Sequence, residues 1–166
     1  MIKIMSVVLC AGIAVSFAPA LPGICAEVPP SGDFEAILKL HEELIAAHKA
    51  YDVDRVLAAE SDTILTVNGG EVQYQTKRER IPRFKHYLDI TEFEEYRDLI
   101  DPIVRISDDG TMGWLIAQVK IKGTHTGGNG ELTSFDTVWA WIELFEKKDG
   151  KWIRIGDVTS VKHVGE

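Results

Sequence analysis

Residues 135–160, "FDTVWAWIELFEKKDGKWIRIGDVTS", contain the strongest structural signal in the chain. Two runs rich in β-branched and aromatic residues flank "KKDGK", and an Asp-Gly pair in that position favours a tight β-hairpin turn. In the first run, alternation places Trp139 and Trp141 on one face with Phe135 and Phe145. The opposite face is also apolar, with Val138, Ala140, Ile142 and Leu144. A strand that is apolar on both faces needs cover on both. We therefore expect one face to enclose a pocket and the other to contact a second subunit.

The second strand of this hairpin carries one carboxylate at an apolar position. Period-two alternation predicts that Asp157 shares a face with Ile155 and Thr159, and that Arg154 points the other way. A carboxylate on an apolar face either has a partner or has a raised pKa. A raised pKa is what a general acid or base needs near neutral pH.

The chain before the hairpin predicts helices first and strands afterwards. Asp33 is a plausible N-cap for a helix that runs to about Tyr51. Residues at helical spacing form its apolar stripe: Phe34, Ile37, Leu38, His41, Leu44, Ile45 and His48. A second short helix, capped by Asp52, is expected over about 53–59. A strand follows and ends at Gly69-Gly70.

A third helix and a series of strands complete the predicted order. Thr76 and Glu79 have the spacing of a capping box, and Ile81, Phe84 and Leu88 would then point inward. We expect strands over about 93–107, with an interruption at Pro102, and over about 113–122, before the closing hairpin. The predicted fold class is α+β, with about three helices on one face of a curved antiparallel sheet.

The first 26 residues have the pattern of a secretory signal peptide. One basic residue, Lys3, precedes an apolar run and then small residues, with cleavage expected after Ala20 or Ala26. A retained N-terminal anchor is the alternative, although the run is short for a membrane span. We expect residues 27–32 to form a short leader and 33–166 a single domain. The predicted location is therefore periplasmic or secreted.

Composition excludes several classes of function. The 166-residue chain has a net charge of −8, and loss of Lys3 with the signal peptide would make it −9. Such an acidic domain has no basic stripe for nucleic acid, and we expect no membrane contact after cleavage. Cleavage after Ala26 would also remove both cysteines, Cys10 and Cys25. No spacing predicts a metal site, and we expect no cofactor.

Two segments, "HKAYDVDRVLAAESDTILTVNGGE" and "FEKKDGKWIRIGDVTS", resemble the nuclear transport factor 2-like superfamily, nearest to its SnoaL-like and ketosteroid isomerase-like branches. The resemblance covers about residues 34–161. It implies a cone, in which a curved sheet wraps around the first helix and leaves an apolar pocket, and dimers through the convex sheet face. The isomerase Tyr is replaced by Leu44, and its Asp by Val67 or Asn68. The acid in the last strand of the cyclases aligns with Asp157.

The sharpest chemical hypothesis pairs Asp157 with His48 across the pocket. Such a pair would serve as catalytic acid and base in a cyclisation, isomerisation or dehydration. The plainer alternative is that His48 satisfies a core hydrogen bond and that Asp157 binds backbone amides. We interpret the basic segment 77–86 as a solvated helix face rather than an anion site. The predicted ligand-binding residues are His41, Leu44, Trp139, Trp141, Ile155 and Thr159.

Three functions remain open at this point. The favoured one is an exported protein that binds a small, largely apolar molecule, because the residues of the known isomerase site are missing. The alternatives are a cofactor-independent acid/base enzyme and a dimeric protein-interaction module. A convergent pair of titrating groups would favour the enzyme, and a tightly filled cone would favour the interaction module.

Overall fold

The computed structural model describes residues 32–165. The predicted signal peptide, residues 27–31 of the leader and Glu166 lie outside the described residues. The helices are α1 (Gly32–Lys49), α2 (Val53–Val56) and α3 (Lys77–Ile90). The strands are β1 (Glu60–Asn68), β2 (Glu71–Thr76), β3 (Thr91–Asp98), β4 (Ile103–Ile106), β5 (Met112–Thr126), β6 (Leu132–Lys148) and β7 (Lys151–His163). None of the described helices combines the length and apolarity of a membrane span.

The predicted hairpin is confirmed as β6 and β7, which pair antiparallel. Its turn residues Asp149 and Gly150 have φ values of 49° and 76°. Two successive positive φ values are those of a type I′ turn, whose twist matches that of the flanking strands. On its other side β6 pairs with β5 without interruption, from Met112 opposite Glu146 to Thr126 opposite Leu132. These three long strands form the centre of the sheet.

Seven strands form one curved, unclosed sheet in the order β2-β1-β7-β6-β5-β3, and β4 also pairs with β5. All pairs are antiparallel except β1 with β7, which run parallel. The strand expected over 93–107 is divided into β3 and β4, and Pro102 lies between them. β2 was not predicted. It pairs with β1 across the Gly69-Gly70 turn and forms one edge of the sheet.

Helix α1 packs on the concave face and buries Ile37, His41 and His48, as the apolar stripe predicts. The prediction that Asp33 caps this helix is wrong, because α1 already begins at Gly32. The Asp33 carboxylate instead accepts hydrogen bonds from Lys147 Nζ at 2.6 Å and Trp152 Nε1 at 3.0 Å. These bonds tie the start of α1 to the hairpin.

Helix α3 begins with the predicted capping box, in which Glu79 N donates to Thr76 Oγ1 at 3.3 Å and Thr76 N donates to Glu79 Oε2 at 2.9 Å. Pro82 lies inside the helix. The expectation that Ile81 points inward is wrong, because 40 % of this residue is exposed. Arg80 is buried in its place, together with Leu88.

Candidate functional site

A cavity of about 570 Å³ lies between α1, α3 and the concave face of the sheet. One wall is mainly aromatic and aliphatic, with Leu44, Phe84, Tyr87, Tyr96, Ile121, Trp139 and Trp141. The part of the lining that comes from the β1–β2 hairpin is polar, with Thr66, Asn68, Glu71, Gln73 and Gln75. The cavity is therefore amphipathic, more polar than the apolar pocket that the sequence predicts.

Six of the predicted site residues line this cavity: Leu44, His48, Trp139, Trp141, Asp157 and Thr159. The α1 stripe and the alternation of β6 and β7 bring them together on the concave side. Two predicted ligand-binding residues, His41 and Ile155, are not part of the lining. A different physical cause keeps each of these two residues out of the lining.

Ile155 is displaced by a β-bulge in the last strand. Leu144 pairs with Gly156, but the next residue Phe145 pairs with Arg154, so Ile155 is the extra residue of β7. Such an insertion reverses the inward and outward positions on either side of it. The inward and outward positions predicted for β7 are therefore wrong for the residues that precede the bulge. Arg154 and Asp157 both line the cavity, although alternation places them on opposite faces.

His41 lies behind the cavity wall and is fully buried. Its Nε2 lies 2.9 Å from Asp98 Oδ1, and its Nδ1 lies 3.9 Å from Glu143 Oε2. Burial alone would lower the pKa of His41, but the Glu143 and Asp98 carboxylates outweigh it and raise this pKa. At 3.9 Å, Glu143 acts through its charge rather than through a direct hydrogen bond. The predicted ligand contact is replaced by a structural ion pair.

His41 is one member of a buried ionic network. We use this name for six residues from six elements: Asp98, His41, Glu143, Arg154, Glu60 and Arg80. Arg154 donates from Nη1 to Glu143 and from Nη2 to Glu60. Arg80 Nη2 lies 2.9 Å from Glu60 Oε1, the oxygen that Arg154 also contacts. Glu60, Glu143, Arg80 and Arg154 are each at least nine-tenths buried.

The charges of this network stabilise one another. Burial alone would lower the pKa of Arg154, but Glu143 and Glu60 outweigh it and raise this pKa. Burial would raise the pKa of Glu143, and Arg154 and His41 reverse that effect and lower it. Both groups therefore stay charged inside the protein. A second cavity of about 730 Å³ lies next to the first, since Glu143 and Arg154 line both.

Asp157 lies at the edge of this network and differs from its carboxylates. Its closest cation is Arg80, whose Nη1 is 3.8 Å from Oδ2, too far for a hydrogen bond. Among residues 32–165 no donor lies within hydrogen-bond distance of the Asp157 carboxylate. Burial raises the pKa of Asp157, and the nearby Arg154 and Arg80 only partly oppose this. Its raised pKa contrasts with the lowered pKa of Glu143, the buried carboxylate that lines the same cavity.

His48 contributes a neutral imidazole to the same cavity. Its Nδ1 donates to the Leu44 carbonyl at 2.8 Å, which makes Nε2 the unprotonated nitrogen. The ring stacks on Tyr96 at a centroid distance of 5.1 Å. Burial lowers the pKa of His48 to about 4. His48 is therefore uncharged at neutral pH and can accept a proton or a hydrogen bond at Nε2.

Sequence reasoning missed four charged residues of the site: Glu60, Arg80, Glu143 and Arg154. Glu143 had a detectable signal, because it alternates with Trp141 and Phe145 on the concave face. Arg80 had one as well, because it stands one helical turn before Phe84 and two before Leu88. The interpretation of segment 77–86 as a solvated face is wrong at Arg80. Its neighbour Arg83 also lines the cavity.

The described residues contain no group of three or more His, Cys, Asp or Glu side chains that could hold a metal ion. The side chains that line the cavity supply a protonatable carboxyl at Asp157, a neutral imidazole at His48 and the guanidinium groups of Arg80 and Arg83.

Comparison with known proteins identifies the fold. An NTF2-like protein from Cytophaga hutchinsonii aligns with 77 % of this chain and 97 % of its own, at 21 % identity and a TM-score of 0.60. The chain has the nuclear transport factor 2-like fold. A ketosteroid isomerase-like protein from Erwinia carotovora atroseptica aligns at 13 % identity over 81 % of this chain and 98 % of its own, with a TM-score of 0.59.

A third solved structure is also similar. A protein with a cystatin-like fold from Caulobacter vibrioides aligns at 12 % identity over 80 % of this chain and 91 % of its own, with a TM-score of 0.62. No protein-family model matches the sequence. No curated protein matches it either. These likenesses confirm the predicted cone fold, and the chemistry must be argued from the site.

Proposed function

We propose that this NTF2-like protein binds a small molecule with an apolar body and a polar end group in the 570 Å³ cavity. The observation that carries the proposal is that one cavity is lined both by aromatic side chains, with Trp139 and Trp141, and by polar side chains of the β1–β2 hairpin. The volume falls within the range of about 300–1,000 Å³ that is typical of small-molecule sites. A cavity of this size argues against the interaction module, which requires a filled cone.

A neutral fluorescent probe tests this function directly. N-phenyl-1-naphthylamine should bind with one probe per chain, and Thr66→Trp should weaken binding at least about tenfold, because the new ring occupies the cavity. Thr63→Trp is the matched control, since Thr63 is an exposed residue on the same strand and outside the lining. Equal titrations for both variants and the native protein would show that the probe binds elsewhere and would remove the proposal.

An acid/base enzyme is the second candidate, and one observation favours it. Asp157, whose pKa is raised, and His48, which is neutral, line the same cavity. A pair of groups with separated pKa values can remove a proton from a substrate and return it. The substrate class would be a cyclic molecule that bears a carbonyl group. The isomerase Tyr and Asp have no counterpart, since Leu44 and Asn68 stand near those positions.

Hydrogen exchange next to a carbonyl tests the enzyme candidate. In deuterated water the protein should accelerate exchange at the carbon beside the carbonyl of 2-tetralone, as measured by NMR. Asp157→Asn should reduce this rate by about 100-fold or more, because it removes the titrating carboxyl. Asp62→Asn, at an exposed position of β1, should leave the rate unchanged. Exchange that survives Asp157→Asn would exclude Asp157 as the base.

We also propose that the protein is exported and forms a homodimer. The signal-like segment 1–26 supports export, and the mass of the protein recovered from the exported fraction tests it: an intact N-terminus would contradict cleavage. The exposed apolar convex face of the sheet supports the dimer. Its test is given in the Discussion.

A further inference from the structure

The cavity has an excess of hydrogen-bond donors. Three of its lining side chains each hold a buried N–H that has no acceptor among residues 32–165: Arg80 Nε, Arg154 Nε and Trp141 Nε1. These residues are only 6 %, 7 % and 8 % exposed. A buried donor without an acceptor is costly, so native proteins rarely keep several together. The other two unmatched buried side-chain atoms, Glu60 Oε2 and His41 Nδ1, belong to residues outside this lining.

Among the buried cations of the site, Arg80 is less completely paired than Arg154. It shares Glu60 Oε1 with Arg154, and its 3.8 Å contact with Asp157 is too long for a hydrogen bond. By contrast, Arg154 donates directly to two carboxylates. Phe84 covers the Arg80 guanidinium at 5.1 Å from the ring centroid and fixes its plane. A held, incompletely paired guanidinium fork matches the geometry of a planar carboxylate.

Asp157 can accommodate an anion beside Arg80 when it is protonated. Charged or titratable groups face it from every neighbouring element: Arg154 on β7, Arg80 and Arg83 on α3, Glu143 on β6, Glu60 on β1, Glu71 on β2 and His48 on α1. Burial already favours its protonated form, which repels no anion and adds one more donor.

We propose that the ligand carries a carboxylate, bound by Arg80 with the Asp157 carboxyl group beside it, and that its apolar body packs on Trp139 and Trp141. This inference rests on the proposed binding function and names its ligand class. The carboxylates of Glu60, Glu71 and Glu143 nearby disfavour a dianion such as a phosphate ester, because they would repel the second charge. The ligand class is therefore a small aromatic or aliphatic monocarboxylic acid.

A matched pair of probes tests the carboxylate directly. By calorimetry at neutral pH, 2-naphthoate should bind at least about tenfold more tightly than its neutral analogue 2-naphthamide, since a charged hydrogen-bonded pair is lost in the amide. Arg80→Gln should abolish this preference. Arg78→Gln removes an exposed arginine two residues away on the same helix and should preserve it.

A second variant keeps the test decisive if Arg80→Gln does not fold. Naphthoate should bind native protein more tightly as the pH falls toward the raised pKa of Asp157, measured only above about pH 5, where the naphthoate carboxyl, with a pKa of roughly 4, remains ionised. Asp157→Asn should remove this pH dependence, because the amide donates at every pH. A pH dependence that persists unchanged in Asp157→Asn would overturn the role of Asp157.

The outcomes separate this inference from the binding function itself. Equal affinity for naphthoate and naphthamide, or a preference that survives Arg80→Gln, would overturn the carboxylate and leave cavity binding in place. Failure of both probes, together with failure of N-phenyl-1-naphthylamine, would remove the binding function and the inference with it. A naphthoate preference that depends on Arg80 but not on Arg78 would support both.

Discussion

The concave face of the sheet buries charged side chains within its apolar core, whereas the convex face exposes apolar ones. The buried concave face carries Glu60, Glu143 and Arg154. The convex face, formed by the alternate residues of the same strands, carries an apolar row. Its members stand opposite one another across six strands: Val72, Val67, Val158, Ile142, Ile116 and Ile103. Val158 and Ile142 are 40 % and 37 % exposed.

The two faces differ in how far contacts within one chain pair their charges or cover their apolar side chains. On the concave face each central charge of the network has an opposite charge in contact, supplied by another element of the same chain. On the convex face no helix of the described residues covers the apolar row. Contiguous exposed apolar surface of this kind marks an interaction site. Substitutions that disturb one face at a time can test this difference.

Substitution of Arg154 should cause the largest loss of stability. Arg154→Met would leave Glu60 and Glu143 buried without their shared cation, and the free energy of unfolding should fall by about 3–5 kcal/mol. Urea denaturation measures this change. Arg55→Met is the control, because its pair with Glu43 is exposed and should contribute far less to stability. Similar losses for the two variants would show that burial gives the network no special role.

On the concave side, the two histidines of α1 should change stability with pH in opposite directions. The pKa of His48 is lowered to about 4, so the unfolded chain takes up its proton first as the pH falls from about 6.5. Stability is therefore lost between about pH 6.5 and pH 4, by about 3 kcal/mol. The raised pKa of His41 acts in the opposite sense: its stabilisation is present below about pH 6.5 and is lost as the pH rises through its folded pKa.

The free energy of unfolding, measured against pH for native protein and for His48→Asn, determines this contribution. The native curve should fall more steeply below pH 6.5 than the variant curve, because Asn can still donate to the Leu44 carbonyl but cannot titrate. His163→Asn, at an exposed position near the end of β7, should follow the native curve. Superimposable curves for native protein and His48→Asn would contradict the lowered pKa.

The fold could be predicted from the sequence because its signals are local. The Asp-Gly turn, the Thr76–Glu79 capping box and the α1 stripe each depend on residues close together in the chain. Only the resemblance implied the curvature of the sheet, and nothing local indicated the parallel pairing of β1 with β7. That contact joins strands about 90 residues apart.

The site was less predictable because it depends on register. One inserted residue, Ile155, turns Arg154 inward, and no residue type in β7 indicates that a bulge forms there. Glu60 and Arg80 meet Arg154 only through tertiary contacts. Asp157 and His48 were identifiable because a titrating group on an apolar stripe is conspicuous by itself. Export and dimerisation stay predictions.

A substitution on the convex face should change the stability of a single chain least and should clearly weaken association between chains. Ile142→Glu introduces a charge in the middle of the apolar row, and we expect dimer dissociation to become about 100-fold easier, or about 2.7 kcal/mol. Sedimentation at several concentrations measures this change. Leu132→Glu is the control, because it lies ten residues, roughly 34 Å, along the same strand.

The same variant separates the two faces as functional units. The concave cavity is lined by residues of one chain, so a monomeric Ile142→Glu should still bind N-phenyl-1-naphthylamine with unchanged affinity. Loss of probe binding together with loss of the dimer would show that the second copy supports the cone, and the faces would then be coupled. A native protein that sediments as a monomer at high concentration would instead remove the dimer, and the convex row would need a different partner.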